Sequence, residues 1–308
     1  MRRHVRDFLI LHTLIYAKQE RFTGQGLFSI VIPSWNNLAY LELCIRSIRQ
    51  NSRHRHQIIV HVNDGSDGTL DWLQQQPDID YTHTPHNAGI CYAFNLARSL
   101  VKTPYIAYFN DDMYALPGWD EALWQTIQSL PDNLFFLSAS MIEPKDSGNP
   151  CVMTGDFGTS PETFREQDLL DQFGSFTHQD WNGAMWPPNV LHRDTYDLAG
   201  GYSIEFTPGM YSDPDLCMKL WQVGVREFRG IAASRVYHFM SKSTRKVKRN
   251  DGRTTFLNKW GISASFFTQQ VLKLGTPYSG PLADTPAPAS QKWKDIFKKL
   301  GNAFKAPR

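Results

Sequence analysis

The chain has 308 residues, of which 41% are apolar, 20% charged and 13% aromatic. This balance is typical of a globular protein with one or two domains, and it excludes a disordered chain, a collagen-like chain and a protein with many membrane spans. From Arg235 to the C-terminus there are 15 Lys and Arg against 3 Asp and Glu, whereas the first 234 residues hold 17 against 27. This distribution favours an anionic partner at one end of an acidic body, and the net charge of +2 argues against nucleic acid as that partner.

The N-terminus and the cysteines favour a reducing compartment. The four cysteines are scattered without a Cys-x-x-Cys pair, so we expect neither a disulfide framework nor a zinc site. Residues 1–26 start with a basic stretch, and the roughly ten mostly apolar residues that follow are too short to span a bilayer. We therefore predict an amphipathic N-terminal segment and a cytoplasmic protein that can bind peripherally to the inner face of a membrane.

From Phe28 onward, short apolar runs alternate with stretches of helical periodicity. Four apolar runs predict buried strands, at residues 28–32, 57–62, 79–82 and 104–109. Three stretches predict helices, at residues 38–48, 69–76 and 88–101. Alternation at intervals of roughly 25 residues predicts βαβ units, and therefore an α/β fold with a mostly parallel sheet and helices on both faces.

Polar clusters follow three of the predicted strands, at residues 33–37, 63–67 and 110–112. Ligands of such sheets bind beyond the carboxyl ends of the strands, so we expect the three clusters to meet in one crevice. The pattern between residues 141 and 180 is irregular and rich in Gly, Pro and Asp. Further elements are predicted beyond it: helices near 194–198 and 213–223 and a last strand at 231–239.

Two segments follow the predicted α/β domain. Residues 271–290 contain several prolines and predict a linker. Residues 291–308 predict a basic helical extension, because five large apolar residues fall on one helical face: Trp293, Ile296, Phe297, Leu300 and Phe304. Lysines flank this face, which favours a helix lying in an anionic membrane surface; the alternative is a helix docked on the protein body or on a second subunit.

Two acidic motifs lie at the predicted strand ends. Asp111 and Asp112 are adjacent, and their mutual repulsion is relieved if a divalent cation binds them and bridges a diphosphate. The alternative is a solvated turn with capping carboxylates. Asp64 lies in the turn Asn63-Asp64-Gly65-Ser66, where its carboxylate can accept an N–H from a pyrimidine ring, in addition to the structural role of such turns.

Three further features lie in the C-terminal half. Asp213 and Asp215 open a predicted helix, where the helix dipole favours carboxylates and where one that faces the crevice can act as a general base. His238 ends the last predicted strand, either as a packing residue or as part of the site. Residues 242–249 hold five basic groups in eight, which form either a solvated loop or a clamp for anionic groups.

Taken in order, these motifs resemble the inverting family 2 glycosyltransferases of the GT-A fold, over residues 28–261. The matching segments are Ile32-Pro-Ser-Trp-Asn-Asn37, Asn63-Asp-Gly-Ser66, His86-Asn-Ala-Gly89, Ala93-Phe-Asn95, Asn110-Asp-Asp112, Ala199-Gly-Gly-Tyr202, Ser212-Asp-Pro-Asp-Leu216 and Phe256-x-x-Lys-Trp-Gly261. The resemblance implies one domain, 27–270, with a nucleotide-sugar half at 27–140 and an acceptor and catalytic half at 141–270. Two positions depart from the family pattern, since Asn63 and Ser212 stand where relatives have acids.

The resemblance also implies roles for single residues. Asp213 aligns with the catalytic base, and Asp112 and His238 align with ligands of Mn²⁺ or Mg²⁺. Beside such a site, Lys242 and Arg245 of the basic run are predicted to bind the diphosphate. The residues implied in donor binding are Pro33, Trp35, Asn36, Asp64, Asn87, Gly89 and Asp111. Those predicted to contact the acceptor are Trp181, Asn182, Trp186 and Asp215.

These observations predict a metal-dependent inverting enzyme that moves a hexosyl or N-acetylhexosaminyl group. The donor is a nucleotide-diphospho-sugar, most readily a UDP-sugar, and the acceptor is a hydroxyl of a glycan or lipid-linked molecule in surface polysaccharide or glycoconjugate synthesis. One alternative is a sugar-nucleotidyltransferase, which should carry a Gly-rich basic loop where this chain has residues 33–37. The other is a non-catalytic carbohydrate-binding protein, which should lack both the base and the metal pair.

Overall fold

The computed structural model describes residues 16–241 and 250–303, and an eleven-stranded sheet forms its centre. The strands are β1 (Ala17–Gln19), β2 (Phe28–Trp35), β3 (Gln57–Asn63), β4 (Ile79–Thr84), β5 (Tyr105–Tyr108), β6 (Met113–Ala115), β7 (Phe135–Glu143), β8 (Val152–Thr154), β9 (Trp181–Asn182), β10 (Asn189–His192) and β11 (Glu227–His238). Their order across the sheet is β1-β4-β3-β2-β5-β10-β7-β11-β6, with β8 beside β7 and β9 beside β11.

Helices connect most of the strands. They are α1 (Leu38–Asn51), α2 (Thr69–Gln74), α3 (Gly89–Arg98), α4 (Trp119–Ser129), α5 (Glu166–Gln172), α6 (Arg193–Leu198), α7 (Ser212–Gln222), α8 (Gly252–Trp260), α9 (Ala264–Phe266) and α10 (Ala289–Ala303). A π-helical turn, Phe267–Val271, follows α9 directly. Among the described residues, no helix is both long enough and apolar enough to cross a membrane.

Seven strands run in one direction, as the alternating pattern predicts, and antiparallel strands make the sheet mixed. Strands β2 to β5 form parallel pairs, and β7 is parallel to β8 and β11. Between these groups lies β10, which is antiparallel to both β5 and β7. Because the two reversals cancel, the carboxyl ends of β2, β3, β5, β7 and β11 reach the same edge of the sheet.

Apolar residues of β2 separate two cores on opposite faces of the sheet. Ile30 and Ile32 pack with α1 and α4 in one core, whereas Val31 packs with α3 and α7 in the other. This arrangement follows from the pleat, since successive side chains of a strand point to opposite faces. With helices on both faces, the strand ends are the part of the sheet that remains open to a ligand.

The segment predicted as a linker lies against the protein body. Tyr278 donates its hydroxyl to Glu227 at 2.8 Å, and its ring lies 4.3 Å from the guanidinium carbon of Arg229. Leu282 is buried, and its backbone amide donates to the carbonyl of Arg226 at 2.9 Å. The chain is therefore held to the edge of β11 before α10 begins, and α10 in turn packs on α8.

We predict that Gly230→Ala destabilises the protein, because Gly230 on β11 pairs with Trp181 on β9 and an added Cβ would lie 1.8 Å from the indole. Overpacking of this kind costs about 1–3 kcal/mol, which corresponds to a Tm decrease of about 2–5 °C in a chain of this size. Thermal unfolding measures the difference. Gly174→Ala is the control, since no atom lies within 4 Å of its added Cβ, and equal melting temperatures for both variants would contradict the prediction.

Candidate functional site

A cavity of about 550 Å³ opens at the carboxyl ends of five strands. Trp35 of β2, Asn63 of β3, Glu143 of β7 and His238 of β11 line it, as does the segment 110–112 after β5. The loop before α7 and the first turn of that helix also line it. The crevice expected from the sequence is therefore present. Strands β2, β3, β5 and β11 were expected at it, and β7 contributes in addition.

Most of the site residues predicted from the sequence lie in this cavity. Those that line it are Pro33, Trp35, Asn87, Gly89, Asp111, Asp112, Trp186, Asp213 and His238. Asn36 and Asp64 directly follow the lining residues Trp35 and Asn63, and the Asn36 amide donates to the Asp64 carboxylate at 3.1 Å. The Asn36 side-chain oxygen also accepts the backbone amide of Gly65 at 2.9 Å, so Asn36 fixes the turn that carries Asp64.

The adjacent carboxyl groups of Asp111 and Asp112 are both buried. Burial, and then the charge of Asp112, raise the pKa of Asp111 to about 7. Burial also opposes ionisation of Asp112, but His238 and the backbone amide of Ser241 hold the pKa of Asp112 below its ordinary value. The Asn37 amide donates to Asp111 at 3.0 Å. The pair therefore carries one firmly ionised carboxylate, that of Asp112.

His238 lies between two carboxylates. Its Nδ1 is 2.8 Å from Glu143 Oε1, and its Nε2 is 3.4 Å from Asp112 Oδ1. Burial alone would lower the pKa of His238, but the two carboxylates outweigh burial and raise the pKa to about 10. An imidazole held by Glu143 at Nδ1 presents Nε2 to the Asp112 side, the arrangement that orients a metal-ligating histidine.

The donor atoms at this point fit a divalent cation that is shared with a ligand. Asp112 Oδ1 and His238 Nε2 converge at 3.4 Å, a separation close to that between neighbouring ligands of an octahedral ion. Within residues 16–241 and 250–303, however, no group of three or more His, Cys, Asp or Glu is arranged to hold a metal. Two protein ligands leave coordination positions for phosphate oxygens and water, which suits Mg²⁺ or Mn²⁺ bound together with a diphosphate.

Asp213 lies in the first turn of α7 and lines the same cavity as the acidic pair. Burial raises the pKa of its carboxyl group to about 7, a change that the hydrogen bond from Ser212 only partly opposes. A carboxylate with a pKa near neutrality can accept a proton efficiently at that pH. Asp213 therefore has both the position and the proton affinity of a general base.

Asp215, only two residues later, points away from the cavity. Its Oδ1 accepts the indole N–H of Trp260 at 2.8 Å and lies 2.9 Å from Nζ of Lys259. Residues two apart on a helix face different directions, so only one of the two acids can face the cavity. The predicted acceptor contact of Asp215 is not available in this arrangement, and the residue instead fixes α7 to α8.

The tryptophans predicted to meet the acceptor have different positions. Trp181 is 2% exposed and donates its indole N–H to Ser140 at 3.3 Å. Asn182 is also buried and donates its amide to Thr276 at 3.0 Å. Neither of them lines the cavity, whereas Trp186 does. Trp181 and Asn182 form the short strand β9, which pairs with β11. Their side chains therefore pack within the fold and do not reach the cavity.

One of the motif residues, Gly89, also shapes the fold. Gly89 has a φ of +76°, and a Cβ there would lie 2.7 Å from Cα of Pro208. The next amide, that of Ile90, donates to the carbonyl of Pro208 at 3.0 Å. The absence of a side chain at Gly89 therefore lets α3 approach the loop that precedes α7, which brings the Asp213 wall next to the donor half.

Lys242 and Arg245, the predicted diphosphate clamp, lie outside the described residues. The structure adds Glu143, which the sequence analysis missed because β7 was not recognised and its last residue fell in a segment that looked irregular. It also adds an apolar wall of four methionines, which are Met113, Met141, Met210 and Met240. Three of these lie within three residues of a predicted site residue, and that proximity was the only signal for them in the sequence.

Comparison with known proteins identifies the class of protein. Residues 29–179 match the model of glycosyl transferase family 2. An uncharacterised glycosyltransferase of Haemophilus influenzae is 24% identical over 250 residues, which cover 77% of this chain and 76% of that protein. Over 90 residues the chain is 30% identical to Bacillus subtilis TuaG, named as a glycosyltransferase of teichuronic acid biosynthesis; this covers 28% of this chain and 36% of TuaG.

Solved structures agree on the fold. The crystal structure of Staphylococcus aureus TarS 1-349 has a TM-score of 0.50 at 13% identity, covering 69% of this chain and 60% of that one. The crystal structure of GalNAc-T7 with UDP, GalNAc and Mn²⁺ has a TM-score of 0.56 at 12% identity, covering 89% of this chain and 54% of that one. These matches support a family 2 glycosyltransferase, and the solved structures show the GT-A fold.

We predict that Asp213→Asn raises the stability of the protein more at about pH 8 than at about pH 5. The folded pKa of about 7 lies above the ordinary 3.8, so the unfolded chain loses this proton first, and wild-type stability falls as pH rises between these values. Asparagine carries no such proton and avoids the loss. Thermal unfolding at both pH values measures the effect.

Asp71→Asn is the matched control for that measurement, because Asp71 also lies in the first turn of a helix but is exposed. Its melting temperature should differ from wild type by the same small amount at both pH values. A difference for Asp213→Asn that does not grow from about pH 5 to about pH 8 would contradict a raised pKa at this position.

Proposed function

We propose that this protein is a metal-dependent, inverting glycosyltransferase that uses a nucleotide-diphospho-sugar, most readily a UDP-sugar. The observation that carries the proposal is that Asp213, Asp112 and His238 line one cavity. A base and a diphosphate-binding pair in the same cavity can act on one donor and one acceptor molecule. GalNAc-T7, whose solved structure contains UDP, GalNAc and Mn²⁺, has the same fold, which supports a nucleotide-sugar donor and a divalent cation.

The donor would lie across the strand ends. Asp64 would accept the N–H of a pyrimidine, and Trp35 would stack on the base, in line with their places after β3 and at the end of β2. The indole N–H of Trp35 is buried without a partner among the described residues, so it is available to a bound ligand. Asp112 and His238 would hold Mn²⁺ or Mg²⁺, which supplies positive charge to the leaving diphosphate.

Asp213 would act on the acceptor. It takes the proton of the acceptor hydroxyl as that oxygen forms its bond to the anomeric carbon, and the bond between this carbon and the diphosphate oxygen breaks with its electron pair leaving on the diphosphate. Attack from the face opposite the leaving group inverts the configuration at the anomeric carbon. No covalent intermediate forms, so the reaction needs no nucleophilic side chain.

The acceptor would be a hydroxyl of a glycan or of a lipid-linked molecule on the cytoplasmic side of a membrane. Trp186 and the four methionines that line the cavity offer apolar contacts to the acceptor. Flat apolar surfaces suit the faces of sugar rings and the carbon chains of a lipid carrier. A role in surface polysaccharide or glycoconjugate synthesis follows from this kind of acceptor.

Asp112→Asn should remove metal-dependent donor binding, because the amide loses the charge that the cation requires. We expect the Kd for UDP in the presence of Mn²⁺, measured by calorimetry, to rise at least about tenfold. Asp213→Asn is the control in the same assay. It should keep the wild-type Kd, since Asp213 is not one of the proposed metal ligands. Unchanged Mn²⁺-dependent affinity in Asp112→Asn would contradict the assignment of the metal site.

Asp213→Asn should in contrast lose turnover by about 10²–10⁴-fold, the usual contribution of a general base. Wild-type kcat should rise as pH increases through about 7, since the base acts in its ionised form. Release of a nucleoside diphosphate from a panel of nucleotide-sugars measures both. A decrease of less than about tenfold would argue against the base, and release of pyrophosphate would indicate a sugar-nucleotidyltransferase instead.

A further inference from the structure

Helix α10 docks on the protein through its polar side. Asp295 is fully buried, and its carboxylate accepts the amide of Ser263 at 3.2 Å and the side chain of Gln291 at 2.8 Å. Toward the C-terminal end, Asn302 donates to Thr254 of α8 at 3.2 Å. The helix is therefore held in one orientation by hydrogen bonds and not by its apolar face.

The opposite side of α10 carries large apolar residues that remain exposed. Their exposed fractions are 61% for Trp293, 45% for Ile296, 66% for Phe297 and 51% for Leu300. These four are half of the large apolar side chains that are exposed in the described part of the chain. An amphipathic helix of a soluble domain normally buries its apolar stripe against the core, and α10 has the reverse arrangement. Its apolar face is directed at something other than the protein body.

The charges around the apolar face indicate what covers it. Lys292 and Lys294 are exposed beside it, whereas Lys298 and Lys299 reach toward the protein body, where their Nζ atoms lie 3.5 Å from Asp295 Oδ1 and from the carbonyl oxygen of Asn258. The single acid of the helix, Asp295, is buried on the other side. A second copy of the same face would bring lysines against lysines. Four side chains also bury much less than the roughly 1,200–2,000 Å² of a stable protein interface. An anionic lipid bilayer complements both the apolar side chains and the lysines of α10, because it has an apolar interior beneath an anionic surface.

We propose that α10 is a fixed membrane-binding surface that lies in the plane of an anionic bilayer, with Trp293, Ile296, Phe297 and Leu300 inserted at the acyl boundary. The exposed lysines then contact the lipid headgroups. The proposal that α10 binds lipid does not depend on the proposed function. The inference that the acceptor is anchored in the same membrane does rest on that function.

Helix α8 links this surface to the cavity. Asn302, near the end of α10, bonds to the first turn of α8, where Gly252 lies against the backbone of Met210 in the cavity wall. Helix α10 is therefore separated from the cavity wall by α8 alone. The surface thus favours an acceptor that is anchored in the same membrane over a freely diffusing glycan.

The test is flotation of the full chain with vesicles of phosphatidylcholine alone or mixed with phosphatidylglycerol. We expect binding to the anionic vesicles that weakens as salt rises from about 0.1 to about 1 M, because the Debye length falls from about 10 to about 3 Å. Phe297→Ser should lower the bound fraction at least about tenfold. Leu198→Ser is the matched control, since Leu198 is 66% exposed, as is Phe297, but lies on α6, and it should bind as wild type does.

Failure of the wild-type chain to float with anionic vesicles, or equal flotation of Phe297→Ser, would overturn the proposal. So would a dimer, detected by analytical ultracentrifugation, that Phe297→Ser abolishes, because the face would then be covered by a second copy. UDP binding with Mn²⁺ is measured on the same samples. Its loss counts against the proposed function, whereas loss of flotation alone counts against the membrane surface.

Discussion

Repulsion and desolvation of acidic groups at one sheet edge are the constraint on which the site depends. Asp111, Asp112 and Glu143, which are buried, and Asp213, which is half-buried, all line the same cavity. Four carboxylates so close together cannot all be ionised without compensation. His238 compensates two of them as an imidazolium, while Asp111 and Asp213 retain protons to near neutral pH. A divalent cation at Asp112 would take the place of the imidazolium proton, so charge balance couples metal binding to this histidine.

The direction of the strands brings these groups together. Short strand β10, antiparallel to both neighbours, inserts between β5 and β7 without changing the edge at which they end. Asp112 after β5, Glu143 at the end of β7 and His238 at the end of β11 therefore meet although more than 120 residues separate the first from the last. Asp213 reaches the same cavity next to a loop that lies against α3, an approach that the missing side chain of Gly89 permits.

The sequence predicted the donor half well, because each strand there ends in a recognisable polar turn and each helix has clear periodicity. It predicted less of the second half. Strand β7 is buried at every position, so it lacks the alternation that marks a half-exposed strand, and Glu143 was missed with it. Trp181 and Asn182 were predicted from residue type alone, and residue type does not distinguish an aromatic residue that packs under β11 from one that meets a sugar.

Helix α10 shows what helical periodicity cannot predict, namely which face of a helix contacts the protein. Periodicity located α10 and its apolar face correctly, yet it cannot say which face contacts the protein, because a polar face docks as firmly when its groups find partners. Asp295 decides the outcome: its buried carboxylate accepts the backbone amide of Ser263, and Gln291 donates to the Ser263 hydroxyl. Rotating the helix to bury Phe297 would remove both hydrogen bonds. A buried carboxylate without those partners would be strongly destabilising. The hydrogen bonds on the polar side of α10 therefore keep its apolar face exposed. Because these bonds are part of the folded structure, the apolar face is available to a membrane as soon as the domain folds.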